Sequence, residues 1–372
     1  MSTVGVREVS VSDKAAVKHF VRLERQFVGT GALFYSEPDA DIAKALSGRS
    51  AFFTQIEHAL FVASDNGVDS ARCAALINRR YQEAKKEAVG AIGYFAASPD
   101  SLASVKSMLE SAEAWLRQRG VTRVVAPFNG AGLLGAGVRT DAFDESPVFP
   151  FAWHPPRYSD YLREAGYRPT YPLWYYTIDL SGDAYRRMAQ KVDEGGRSLT
   201  IRPVNKKRWD EDLEIFRHLF NETFRDEWEC HPMESAELHE FFDPMKPILD
   251  PRQMLIGEVG GAPVGWCLGM PDWSPLFRSF EGKVGPLQIL KLMFGAGRYQ
   301  RAGLLGIGVL HDYRSTGLAQ ALAVALFRRY QERGLREALY YPVNGANARS
   351  RRFAESMGGH GRLLYHCYDK SM

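Results

Sequence analysis

The chain of 372 residues is poor in cysteine, and its four cysteines, Cys73, Cys230, Cys267 and Cys367, include no closely spaced pair. Spacing of that kind builds neither a zinc site nor a disulfide framework, so no metal is expected and a reducing cytoplasm suits the chain. A long apolar run is also missing. The longest, Ala302 to Leu310, is about half of the ~20 residues that span a bilayer, and the opening residues carry no apolar stretch of the signal-peptide kind. Charge of one sign is missing too: 47 basic against 44 acidic side chains leave +3. That is too little to argue for a nucleic-acid partner, so any charge-driven binding has to be local. The 34 glycines and 19 prolines are spread rather than clustered, which excludes collagen and low-complexity disorder. What is present is an ordinary globular composition, 45% hydrophobic, at a length above the roughly 100–200 residues that one core organises. Two domains are expected.

The pattern repeats. Val6 to Val9 followed by an amphipathic helical stretch has an echo at Ile201 to Val204, and Leu116 to Asn129 resembles Tyr330 to Asn344: helix end, Gly, strand, then Pro-x-Asn. Between these markers lie β-rich runs, Ala59–Ser64, Cys73–Arg80 and Val89–Ala97 in the first half, Met254–Val259, Val264–Met270 and Leu304–Leu310 in the second. Gly260 to Pro263 is a tight-turn signal joining two of them into a hairpin. Each half reads strand, helices, hairpin and third strand, helix, strand, helix, strand. The chain is therefore α/β, a duplicated unit with its joint within Ser181–Ser198 and a boundary placed at 195/196, giving domains 1–195 and 196–372.

The most informative segment runs from Gly306 to Leu322. An apolar strand ends at Leu310, a short turn follows, and a helix opens near Thr316 and Gly317 with an apolar stripe of Leu318, Leu322, Leu326 and Tyr330. Free N–H groups and the positive end of a helix dipole converge at such a place, which suits a pyrophosphate. Gly317 lets a phosphate approach the main chain, small Ala319 continues the clearance, and Arg314 brings a full charge.

Arg314, Gly317 and Ala319 after a β-strand resemble the acyl-CoA signature of the GNAT N-acyltransferases. Asn344 and Asn347, followed by Gly358, resemble the asparagine that opens that family's next helix. The resemblance implies two tandem GNAT-like units, each a mixed central sheet flanked by helices, with acyl-CoA (acetyl-CoA or longer) as co-substrate. It places the phosphates on Arg314, Ser315, Thr316, Gly317, Leu318 and Ala319, the pantetheine along the backbone around Val309, and Asn344 or Asn347 near the acyl arm; a plain helix cap is the other reading of Asn347. In the first half the corresponding turn has Ser98 for Arg314, Ser101 for Gly317 and the anionic Asp100 beside them. That unit reads as degenerate, a buttress and a wall for the acceptor site.

Acyl transfer to an amine needs a proton acceptor, oxyanion donors and help for the leaving thiolate. Strand Arg301–Leu310 lacks the Glu that many GNAT enzymes use, and Ala354 stands where their Tyr is expected. Candidates come from elsewhere: Asp272, at the end of the second hairpin strand, for the acceptor ammonium or its proton; Glu229 and His231, in an acid-rich segment with Trp228; and Tyr365 or Tyr368 on the last strand. Each has a bland alternative as surface, cap or packing residue. The stretch 274–300 exceeds what a minimal hairpin needs. Its apolar part, with Leu287, Leu290 and Phe294, reads either as a helix packed between the units or as a lid or interfacial helix, a peripheral membrane contact through 283–298 flanked by Lys283, Lys291 and Arg298. The leading function is N-acyl transfer from acyl-CoA to a primary amine of a small molecule or lipid. The alternatives are long-chain transfer to a lipid amine, similar to the bacterial ceramide synthases that join fatty acyl-CoA to a sphingoid amine; aminoacyl transfer like that of peptidoglycan-bridge enzymes, against which the intact turn argues; and a non-catalytic acyl-CoA sensor.

Overall fold

The computed structural model describes residues 3–29, 33–35, 37–195 and 199–372. The boundary placed at 195/196 abuts 196–198, which lie outside them, as does the C-terminal end of the joint at Ser198. In the first half the strands are β1 (Val4–Val9), β2 (Ile56–Asp65), β3 (Val68–Asn78), β4 (Val89–Ala97), β5 (Arg123–Ala126), β6 (Val138–Arg139) and β7 (Arg168–Asp179). Its helices are α1 (Lys14–Val28), α2 (Asp39–Leu46), α3 (Arg79–Lys85), α4 (Leu102–Arg117), α5 (Arg157–Glu164) and α6 (Asp183–Glu194). The second half has β8 (Leu199–Pro203), β9 (Met254–Val259), β10 (Ala262–Pro271), β11 (Ala302–Val309), β12 (Glu337–Asn344) and β13 (His360–Ser371). Between them run α7 (Trp209–Thr223), α8 (Ser235–Phe242), α9 (Ser274–Arg278), α10 (Pro286–Gly295), α11 (Leu318–Gln331) and α12 (Ala348–Ser356).

The expected β9–β10 hairpin closes on Gly260 and Gly261, at φ +58° and +82°, the left-handed geometry of a two-residue turn that glycine adopts without strain. The echo of Pro-x-Asn extends to the backbone: both Ala126–Pro127 and Tyr341–Pro342 are cis. Helix α11 buries Leu318, Leu322, Leu326 and Tyr330, the stripe read from the sequence, against β9, β10 and β11.

All strands join one 13-stranded sheet, in the order β1-β2-β3-β4-β5-β13-β7-β12-β11-β10-β9-β8, with β6 on β13. The order is palindromic. Each half contributes an antiparallel run ending in a parallel pair, β4 with β5 and β11 with β12. The halves then exchange their last strands: β7 lies against β12, and β13, the end of the chain, lies against β5. The β7–β13 pair itself forms the centre of the sheet. A strand in that position is paired on both edges, so neither half can complete its sheet without the other.

Both parallel pairs are short. β11 meets β12 at Gly303 and Leu304 only, and β4 meets β5 from Val89 to Ala91. Beyond those residues the strands splay, leaving a cleft in each half. In the first half the cleft is filled: Asn129 accepts from Tyr94 N–H at 2.8 Å and donates to the Leu134 carbonyl at 2.7 Å. The degenerate turn is closed as well, because Ser101 N–H donates to the Tyr161 hydroxyl at 3.1 Å, and that hydroxyl donates to the Ser98 carbonyl.

The exchange has a measurable consequence. Residues 1–195 and 196–372 expressed separately should each be aggregated or unfolded, whereas co-expression should return a soluble one-to-one complex on size exclusion. A monomeric, cooperatively melting 196–372 fragment would contradict the topology.

Candidate active site

The turn after β11 keeps the form expected of an anion cradle. Gly317 caps α11 at φ +80°, and a Cβ there would meet nothing within 4 Å. Arg314, Ser315 and Thr316 are exposed beside it. Arg314 Nε donates back to the Val309 carbonyl at 3.3 Å, and Thr316 Oγ1 donates to the Tyr313 carbonyl at 2.7 Å. The turn is thus braced from within while its outer side stays open.

From Val309 the strand leads about 10 Å back to Gly306, which with Leu305 and Pro342 lines a cavity of about 220 Å³. Leu305 is a bulge: Leu268 faces Gly306 and Gly269 faces Leu304, so Leu305 has no partner on β10, and the β12 ladder has already ended. The cavity therefore opens where the two strands part. Its walls come from both halves, with Phe95, Phe151, Phe216, Phe220 and Trp266 among the apolar residues. Glycines on β11 make room for the wall, since a Cβ on Gly306 would strike the Trp266 ring at 2.7 Å.

Glu229, His231 and Tyr365 all line this cavity. Glu229 Oε2 is buried without a hydrogen-bond partner, and burial, reinforced by Glu227, pushes its carboxyl up to about 7. His231 Nε2 is likewise buried and unpartnered, 3.9 Å from Glu237. The Tyr365 hydroxyl donates to the Ala152 carbonyl at 2.9 Å, and burial raises it to about 12. Tyr368 points elsewhere, to Ser159, because β13 shifts register between Cys367 and Tyr368.

Asp272 is not brought to the cavity. Its Oδ1 accepts from the N–H groups of Phe149 and Ser274, and its Oδ2 takes the Arg301 guanidinium, Nε at 2.9 Å. The reason is register: β10 runs antiparallel to β11, so its C-terminal end sits beside Ala302, at the far end of β11 from the turn. Asn344 and Asn347 converge on Glu227, Asn347 donating to Oε1 and Asn344 to Oε2 at 3.5 Å. Asn347 also caps α12 through Ser350 N–H, as the plain helix-cap reading of that residue expects.

The segment carrying Glu229 and His231 is held by the first half. Tyr81 donates to the Trp228 carbonyl, Trp228 stacks on Tyr171 at 4.2 Å, and Gly132 N–H donates to the Glu229 carbonyl at 3.1 Å. Arg80 pairs with Glu237, whose side chain is 1% exposed.

The Acetyltransferase (GNAT) family profile matches residues 213–359, from within α7 through the turn to the end of α12. The chain resembles a tandem GNAT protein from the clavulanic acid biosynthesis pathway, with a TM-score of 0.58 over 99% of this chain and 98% of that one at 11% identity. Residues 213–359 thus carry a GNAT-family domain. The fold of the whole chain is the tandem form. A probable N-acyltransferase from Enterococcus faecalis has the same fold, with a TM-score of 0.55 over all of this chain and 73% of its own, at 13% identity. In sequence, the bacterial ceramide synthase of Caulobacter vibrioides is 25% identical over 98% of this chain and 97% of its own length. Protein YghO of Escherichia coli is 23% identical over 84% and 82%.

The structure adds cavity residues that the sequence did not single out. Glu24, Tyr35, Glu37, Arg72, Tyr94 and His154 reach the cavity from the first half. His154 is held neutral by burial and by nearby Arg139, its value lowered to about 4. None has a local motif, and only the folded arrangement of the two halves collects them. Among the described residues no group of His, Cys, Asp or Glu is arranged to hold a metal, and no helix is long and apolar enough to cross a membrane.

The raised Glu229 carboxyl makes stability depend on pH. An acid whose native value lies near 7 and whose unfolded value lies near 4.3 holds its proton more tightly when folded, so stability falls as pH rises between the two. Glu229→Gln, which cannot ionise, should melt at a higher temperature than the parent at pH 8 and at nearly the same temperature at pH 5. Equal melting at both would show that Glu229 carries no buried charge.

Proposed function

We propose that the chain is a cytoplasmic acyl-CoA-dependent N-acyltransferase that moves an acyl group from acyl-CoA to a primary amine of a small molecule or lipid. The observation that carries this reading is the meeting of an open phosphate turn and a splayed strand pair with a cavity, walled by both halves, in which one carboxyl oxygen of Glu229 is buried without a partner. On the same reading, 1–195 is a degenerate GNAT-like domain and 196–372 the acyl-CoA-binding one. Arg314, Ser315 and Thr316, with the main chain of Gly317, Leu318 and Ala319, hold the phosphates. Val309 and its strand guide the pantetheine toward the cavity, and Asn344 and Asn347 border it.

The bound co-substrate supplies an activated carbonyl. Glu229, once ionised, accepts the proton of the attacking ammonium, so that the amine nitrogen bonds the carbonyl carbon as the C–S bond breaks. The bulge backbone at Leu305 faces the developing oxyanion. Tyr365, neutral at physiological pH because its hydroxyl titrates near 12, is the proton donor for the departing thiolate. His231 and Glu237 position the segment that bears Glu229. Asp272 is left a structural role, tying the 147–149 loop to the start of β11.

A second reading, long-chain transfer to a lipid amine, is favoured by the aromatic lining of the cavity and by a relative named a ceramide synthase that matches over nearly its whole length. Thiol release from palmitoyl-CoA with a long-chain amine, against acetyl-CoA with small amines, separates the two.

Calorimetric titration with acyl-CoAs tests the binding half of the proposal. Arg314→Glu should weaken binding at least ~10-fold without changing the melting temperature, since the side chain is exposed and a reversed charge repels the phosphates. Unchanged affinity would remove the turn from the site. For the chemical half, Glu229→Gln should lower kcat about 100-fold and erase an acidic limb of the pH–rate profile near pH 7; a limb that persists in the variant would assign the base elsewhere.

A further inference from the structure

The stretch between β10 and β11 was open to two readings, and its burial excludes a helix packed between the halves: no residue of α10 is buried. Apart from Val68, the strongly exposed large apolar side chains among the described residues all lie in this one segment. They are Val284, Leu287, Ile289, Leu290, Met293 and Phe294, with Phe294 at 72%. At 100° per residue the last five fall in one continuous arc of about 160°, in the order Ile289, Met293, Leu290, Phe294, Leu287. The opposite side carries Gln288, which caps Gly285 N–H, and Gly295, which packs on Leu276. The helix is inverted, with its apolar face outward.

Charge surrounds that face asymmetrically. From 282 to 311 the sequence contains no acidic residue and four basic ones, Lys283, Lys291, Arg298 and Arg301. Arg301 is engaged by Asp272, whereas Lys283, Lys291 and Arg298 are exposed. Among the described residues none of those three has an ion-pair partner. Lys291 borders the apolar arc directly.

We infer that α10 docks this protein on an anionic lipid surface, its apolar arc among the acyl chains and its three free cations at the headgroups. An apolar face rimmed by unpaired cations is what an interfacial helix presents to anionic lipid. A second copy fits less well, because an isologous contact would bring two sets of three unpaired cations together, with Glu281 the neighbouring carboxylate on each. The docking face also adjoins the cavity. Leu276 lies under Gly295, and its neighbour Phe277 stacks on Phe149 at 5.0 Å and approaches Tyr35, a cavity residue, at 6.4 Å.

The inference is independent of the acyl-transfer reading, and its test uses no CoA. The full chain is floated with vesicles of phosphatidylcholine alone or with added phosphatidylglycerol. It should float with the anionic vesicles and remain largely free with the neutral ones. Leu290→Ser with Phe294→Ser should reduce flotation at least ~10-fold with the melting temperature unchanged, and Lys283→Glu with Lys291→Glu should abolish the preference for phosphatidylglycerol. Failure of the parent to float with either vesicle would overturn the inference. So would a serine double variant that turns a dimer into a monomer by light scattering while leaving flotation intact, since a second copy would then be the occupant.

Discussion

Everything in this molecule depends on two strands being in each other's place. Because β7 closes the second half and β13 closes the first, the hydrogen bonds that complete either sheet come from the other half of the chain. Loop closure over such separations is entropically costly, and it is repaid only when both exchanges are made. The two halves therefore fold as one body although their sequences echo each other. The exchange also fixes where a ligand chamber can form, because the floor of the cavity is the middle of the shared sheet and its walls are helices and loops from both sides.

That geometry explains how a carboxyl can be kept poised. Glu229 lies on a segment with no regular structure, yet its position is set by Tyr81, Tyr171 and Gly132 of the other half. An unpartnered carboxyl in apolar surroundings is destabilising when charged, and a domain that had only its own core to hold the segment would relax to hydrate it. Here the degenerate half supplies the restraint. Its contacts with 224–240 include the buried Glu237 carboxylate, paired with half-buried Arg80.

Much of the fold was legible because it is written locally. The Gly-Gly turn, the stripe on α11, the strand that stops before Arg314 and the doubled Pro-x-Asn each depend on residues close in sequence. The tandem GNAT assignment followed from those. The strand exchange was not legible, since β7 and β13 have the composition of any central strand and nothing local says whose edge they join. For the same reason Asp272 was misread: its place at a strand end was evident, but which end of β11 it would face is decided by antiparallel register. Glu229, His231 and Tyr365 stood out by chemical type, and the structure gathers them into one cavity. The contributions of Tyr35, Arg72, Tyr94 and His154 emerged only from the arrangement of the halves. The apolar segment around α10 was conspicuous from the start, and the burial of its neighbours decided which way it faces.

The filled cleft of the first half has one more implication. Asn129 reaches across the splayed strands with a carbonyl oxygen on the Tyr94 N–H of the bulged strand and an amide donor passed onward to a main-chain carbonyl. A primary amide in that position repeats the groups along the arm of a bound acyl carrier, accepting on one side and donating on the other. The strands of the first half are thus bridged by a side chain of the protein itself, which is always present and needs no ligand.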